Sequence, residues 1–173
     1  AKRDCFIFTE KPFATNLEEH KNFLKLTDKI TCNYMRNYYN TTRHAKNIIS
    51  SEAFGKIQKI SIVEGGIKGK TDLDKNSYQN DPSISGGFLK DSASHTFSQL
   101  DFLFDKISVQ DANIIWENNF DIETNAILDV NYNDSSFYIN YIGTQLKNIE
   151  PRTTLFFDNY NIQFNHLIPD SIF

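Results

Sequence analysis

The sequence predicts an α+β fold: an open, mainly antiparallel sheet with helices on one face, preceded by one β-α-β crossover unit. Three observations predict it. Residues 1–35 read strand, helix, strand with short connections, the pattern of a parallel pair. Later segments alternate apolar and polar residues and meet at a tight polar turn, the pattern of antiparallel strands with one wetter face. Between a long polar loop and the later strands lies an amphipathic helix that ends near Phe104.

In chain order, Cys5-Phe6-Ile7-Phe8-Thr9 is a continuous apolar run of the kind found in strands covered on both faces, and it stops at Glu10-Lys11-Pro12. Thr15 followed by Glu18 is a capping box, and Leu17, Phe23 and Leu24 supply the apolar side of a helix reaching about Asp28. A second buried strand spans 30–35. A helix over 41–54 is closed by Gly55, which tolerates the left-handed conformation. Strands are expected at 59–63, 125–132, 136–142 and 153–160. Ala126, Leu128, Val130 and Tyr132 share one face, and so do Phe137, Ile139 and Tyr141, while Asn133-Asp134-Ser135 is a hairpin turn. From Gly65 to Ser85 runs a polar loop of about 20 residues, longer than compact domains use without a functional reason.

Composition narrows the function. Eighteen Lys plus Arg against 22 Asp plus Glu leave a net charge of −4, and no segment is strongly basic, which argues against nucleic acid as a partner. Apolar residues make up only 39%, but 15 Phe, 8 Tyr and one Trp bury enough area each to close a core, which excludes disorder as the main state. No run approaches the ~20 apolar residues that span a bilayer, so no membrane is expected and the cytoplasm is the expected location. Cys5 and Cys32 are too few for a disulfide framework or a zinc site and read as reduced, buried thiols. The chain opens on Ala1 with a strand almost at once, which reads as a piece of something longer.

The helix over 86–104 carries the candidate chemistry. At 100° per residue, Leu89, Ala93, Phe97, Leu100 and Phe104 fall within an arc of about 80° and face the sheet. Asp91 and His95, four apart, lie nearly opposite with Ser98, Phe88 and Phe102. Two Phe do not belong on a solvated face, so something covers it and Asp91 and His95 lie in a crevice. The pair itself admits three readings: a helix-surface ion pair, two ligands of a metal that lacks a third, or a histidine base oriented by a carboxylate.

Glu10-Lys11-Pro12 after a strand, then helix, strand and helix, then Gly86-Gly87-x-Leu89-x-Asp91-x-x-x-His95, resembles the family of glucose–fructose oxidoreductase, inositol dehydrogenase and MocA, in order and spacing over nearly the whole chain. The resemblance implies that residues 1–35 are the tail of a Rossmann nucleotide-binding domain and 36–173 a substrate-binding and catalytic α+β domain. It implies hydride transfer between a sugar, nucleotide-sugar or polyol alcohol and NAD or NADP. It gives His95 the role of general base and Lys11 that of the catalytic lysine. Asp91 becomes the carboxylate beside the substrate, binding hydroxyls or orienting the base. Glu10, Lys11 and Pro12 fall at the cofactor edge, Arg36 touches cofactor or substrate, with surface exposure its other reading, and the Lys11–Pro12 bond is expected to be cis.

The departures are equally specific. Ser98 stands where the family often has Asp. No Gly-x-Gly-x-x-Gly occurs, so cofactor would be held by a domain outside this chain, and alone the chain is expected to be inactive. The stretch from Glu64 to Thr71 is not a P-loop, because glycine is needed where Glu64 stands. Lys68, Lys70 and Tyr78 read as solvated loop residues, with substrate contact as the other option. The alternative function is a non-catalytic sugar-binding or oligomerisation module. An open sheet with Phe137, Ile139 and Tyr141 on one face and Tyr138 and Ile142 on the other predicts a homo-oligomer.

Overall fold

The computed structural model describes residues 5–14, 16–66, 88–104, 106–117 and 120–170. The long loop with Lys68, Lys70 and Tyr78, the glycine pair at 86–87 and Thr15 lie outside the described residues.

A small parallel pair comes first. β1 (Ile7–Thr9) is followed by α1 (Leu17–Leu26) and β2 (Ile30–Cys32), with Ile7 opposite Ile30 and Thr9 opposite Cys32. The cap of α1 is Asn16, whose side chain accepts from the amide of Glu19 at 2.9 Å, so Asn16–Glu19 replaces the expected Thr15–Glu18 box. The strands are not covered within the described chain: Phe6 and Phe8 are 85% and 68% exposed. Cys5 is exposed and Cys32 half-buried, so the thiols are free but not both buried. The second strand is also shorter than expected, because Met35–Tyr38 winds into a 3₁₀ turn.

α2 (Asn40–Ser51) ends when Glu52 takes a left-handed φ of 51°, and Gly55, at φ 84°, completes the turn into the sheet. The sheet has six strands: β3 (Ile57–Gly65), β4 (Lys106–Glu117), β5 (Phe120–Tyr132), β6 (Ser135–Thr144), β7 (Ile149–Phe157) and β8 (Asn161–Phe164), in the order β4-β5-β6-β3-β7-β8. Every pairing is antiparallel except the central one, β3 with β6. Strands β4 and β8 were not expected from the sequence. The β5–β6 hairpin turns through Asn133 and Asp134, both at positive φ (47° and 59°), the backbone of a two-residue turn that matches strand twist.

Register puts Ile60, Ile139 and Leu128 side by side on the inner face, then Ile62, Tyr141 and Ala126 one step along. Ala45 and Ile49 of α2 and Ala93, Leu100 and Leu103 of the helical segment before β4 close over them, forming one core. The alternate residues Ile127, Tyr138 and Ile142 are exposed on the outer face. Among the described residues no helix is long and apolar enough to cross a membrane.

The helix before β4 is not continuous. One π turn, Leu89–Ala93, leads into α3 (Ser94–Leu103). The wider turn breaks the 100° phase that a single helix would keep, and Phe88 moves from the Asp91 side into the core, 6% exposed. Phe102 is partly buried against the core, with the Lys46 ammonium 4.0 Å from its ring centroid.

Candidate active site

The crevice expected on the far side of this helix exists, and residues of this same chain cover it. The link from β1 to α1 brings Lys11 in, and the Lys11–Pro12 peptide is cis. Lys11 Nζ donates to the Asp91 carboxylate at 2.7 Å and to the Asp91 main-chain oxygen at 2.5 Å. The link from β2 through the 3₁₀ turn supplies the rest. Tyr34 meets the His95 ring edge-on with centroids 6.0 Å apart, Arg36 Nη1 donates to Thr96 Oγ1 at 3.2 Å, and Asn37 Nδ2 donates to Ser98 Oγ at 3.0 Å.

Asp91 and His95 are therefore no surface pair, at 5% and 7% exposed. Oδ1 of Asp91 is taken by Lys11, and Nδ1 of His95 is buried with no hydrogen-bond partner, so the carboxylate does not hold the ring through that nitrogen. Burial pushes the imidazole down to about 4; the charges of Arg36 and Lys11 act in the same direction, and the carboxylates of Asp91 and Glu64 oppose them. The ring is neutral at pH 7, the form able to accept a proton. Among the described residues no three His, Cys, Asp or Glu side chains are grouped to hold a metal ion.

Glu10 lies at the exposed end of β1, accepting from Asn33 Nδ2 at 3.2 Å. Arg36 is neither a surface residue nor turned outward: its side chain is 12% exposed, and Nη1 lies 3.8 Å from Glu64 Oε2.

Sequence reasoning missed Glu64 as anything more than a residue that spoils a phosphate loop. It is 3% exposed and accepts from Tyr141 Oη at 2.8 Å, Thr96 Oγ1 at 3.0 Å and His166 Nε2 at 3.3 Å. Burial alone would raise its carboxyl, but the His166 ring, the Tyr141 hydroxyl and Arg36 outweigh burial and hold it below the usual carboxylate range. The signal was present in the period of β3, where Glu64 falls on the same inward face as Ile60 and Ile62. A cleft of about 210 Å³ opens beside it, lined by Arg36, Glu64, Gly66, Phe88 and Ser92 among others.

No protein-family model matches the chain, and no curated protein matches it by sequence. Solved structures do match in fold. The WlbA dehydrogenase from Bordetella pertussis, in complex with NADH and UDP-GlcNAcA, is similar with a TM-score of 0.79 and 18% identity over 96% of this chain and 54% of that one. An inositol dehydrogenase homolog from Azotobacter vinelandii, complexed with NAD+, has a TM-score of 0.79 and 10% identity over 96% of this chain and 47% of its own. Levoglucosan dehydrogenase, in complex with NADH and levoglucosan, has a TM-score of 0.77 and 19% identity, covering 96% and 50%. This chain spans about half the length of each, and at these identities it has the α+β fold found in that half of these dehydrogenases.

Proposed function

We propose that this chain is the substrate-binding and catalytic portion of a nicotinamide-dependent oxidoreductase acting on a secondary alcohol of a sugar, nucleotide sugar or polyol. The observation that carries the reading is the convergence of Lys11, Asp91 and His95 in one buried crevice, reached from a parallel strand end on one side and a sheet-packed helix on the other.

Oxidising an alcohol to a carbonyl removes a hydride from carbon and a proton from oxygen. A bound NAD or NADP supplies the hydride acceptor. The neutral His95 ring takes the hydroxyl proton and becomes imidazolium. Lys11 has three N–H donors, two of which are held by Asp91, and the third is left for the reacting oxygen, where the ammonium favours developing negative charge. Asp91 thus aims the lysine. The residues at the β1 end fit a nicotinamide edge, since Glu10 and Pro12 border Lys11 and that end is open. Arg36 does not fit a pyrophosphate, because its guanidinium is turned inward to Thr96 and Glu64. The pyrophosphate and ribose therefore fall to a preceding Rossmann domain, of which residues 1–35 are the tail.

The test is nicotinamide reduction by the protein carrying that domain, across a panel of sugars, nucleotide sugars and polyols. His95→Ala and Lys11→Ala are each expected to cut turnover by about 10²–10⁴-fold with the fold retained. Near-normal turnover in both variants would sink the assignment.

The exposed Ile127, Tyr138 and Ile142 on the outer sheet face support a homo-oligomer built through that face, with a two-fold pair as the simplest closed form.

A further inference from the structure

One buried carboxylate takes no part in that mechanism. Glu64, at the end of β3, is reached from four other parts of the chain: Tyr141 of β6, Thr96 of α3, Arg36 of the 3₁₀ turn and His166 beyond β8, the last backed by Thr153 of β7 at 3.0 Å. Burying a carboxylate costs several kcal/mol unless donors and cations surround it, so these partners are held to narrow positions. Two of them lead to His95. Thr96 follows it in the chain, and its hydroxyl donates to Glu64 while accepting from Arg36, so one hydroxyl ties the His95 turn to both the sheet and the guanidinium. Arg36 itself stands 3.8 Å from the same carboxylate oxygen, with its charge drawn toward Glu64. Tyr141 and His166 fix the carboxylate from the sheet side.

We propose that Glu64 is the positioning residue for His95: acting through Thr96 and Arg36, it sets where the imidazole stands against the sheet and how much positive charge faces it. The proposal rests on the reading of His95 as the base. Among the described residues, Tyr34 meets that ring edge-on, and the charges that act on it are those of Lys11 from the link after β1, Asp91 from the π turn, Arg36 from the link after β2 and Glu64 from β3. Lys11 and Arg36 oppose protonation, and Asp91 and Glu64 favour it. Without the Glu64 charge, two cations act against one carboxylate.

The test reads the ring directly, by histidine side-chain NMR on the 173-residue chain, which has four His, with His95→Gln identifying the signals. Glu64→Gln is expected to leave His95 mostly neutral at pH 4, near the parent midpoint of about 4. Adding Arg36→Gln is expected to bring the midpoint back to the parent value or above it, a recovery that a purely structural role would not produce. An unchanged His95 midpoint in folded Glu64→Gln overturns the proposal. Should Glu64→Gln not fold, Thr96→Val keeps every charge and cuts the bridge; ring shifts that move support the proposal, and ring shifts identical to the parent overturn it. The titration does not depend on turnover. A chain that titrates as expected while the intact protein reduces no nicotinamide keeps the positioning role and loses the oxidoreductase, and activity with an unmoved ring does the reverse.

Discussion

The Lys11 ammonium is bound twice by Asp91, once by the carboxylate at 2.7 Å and once by the main-chain oxygen of the same residue at 2.5 Å. Side chain and backbone of one residue therefore fix the direction of one cation across 80 residues of sequence. The π turn is the local structure that presents both groups, and a turn of this kind inside a helix often marks a functional site.

That double contact predicts strong coupling in stability. Lys11→Met leaves the buried Asp91 carboxylate without its ammonium and is expected to cost about 2–4 kcal/mol. Adding Asp91→Leu removes the carboxylate as well, and the double variant is expected to be more stable than Lys11→Met alone. Urea denaturation of the four proteins gives the coupling energy directly, and simple additivity would count against the contact.

Stability is expected to fall as the solution is acidified from about pH 6.5 to 4. His95 has a folded value of about 4 against an ordinary 6.5. Between those values the unfolded chain binds the proton and the folded chain does not, so protons favour unfolding. The contribution is complete above the ordinary value and lost below the folded one, and amounts to about 3 kcal/mol. Glu64, held low in the folded state, adds a further loss below the ordinary carboxylate range. Denaturation at pH 7 and pH 4.5 checks this, and His95→Gln should flatten the upper part of the slope.

Tyr141 reaches Glu64 because position 143 is glycine. A Cβ there would run into the Tyr141 hydroxyl and the edge of the Phe88 ring. Gly143→Ala is expected to destabilise by about 1–3 kcal/mol through this overpacking. Tyr141→Phe keeps the ring and removes one donor from a buried carboxylate, at a cost of about 1–3 kcal/mol. Thermal melts of the two variants measure both losses, and a melt equal to the parent's in either would contradict the packing described.

The outer sheet face predicts an association that charge should abolish. Tyr138→Glu with Ile142→Glu is expected to give a monomer by sedimentation where the parent sediments as a dimer, with the circular dichroism of the fold retained. A parent that sediments as a monomer at micromolar concentration would remove this interface.

What could be read in advance divides along physical lines. The β5–β6 hairpin was legible because Asn133-Asp134 joins two strands of clean alternation, and local rules suffice for such a unit. β4 was not, since Lys106, Ser108, Gln110, Asp111 and Asn113 are polar on an exposed edge strand that bulges between Val109 and Asp111. Asp91 and His95 were legible as neighbours in a covered crevice. The double hold of Asp91 on Lys11 was not, because a regular helical wheel cannot show a π turn, and Lys11 comes from the far end of the sequence. The family resemblance puts Arg36 at cofactor or substrate, with a surface arginine as the other reading, whereas its inward direction goes with Glu64, a long-range contact.

The parallel pairing of β3 with β6 at the centre of the sheet has a kinetic consequence. β4, β5 and β6 follow one another and can pair by short connections, as can β7 and β8. β3 must find a partner that lies beyond β4, β5 and α3 among the described residues, from Lys59 across to Tyr138. Closing so long a segment costs entropy before any ladder bond repays it. The two antiparallel ribbons are thus expected to assemble first and β3 to insert between them last, so Glu64, and with it the setting of His95, is completed at the end of folding.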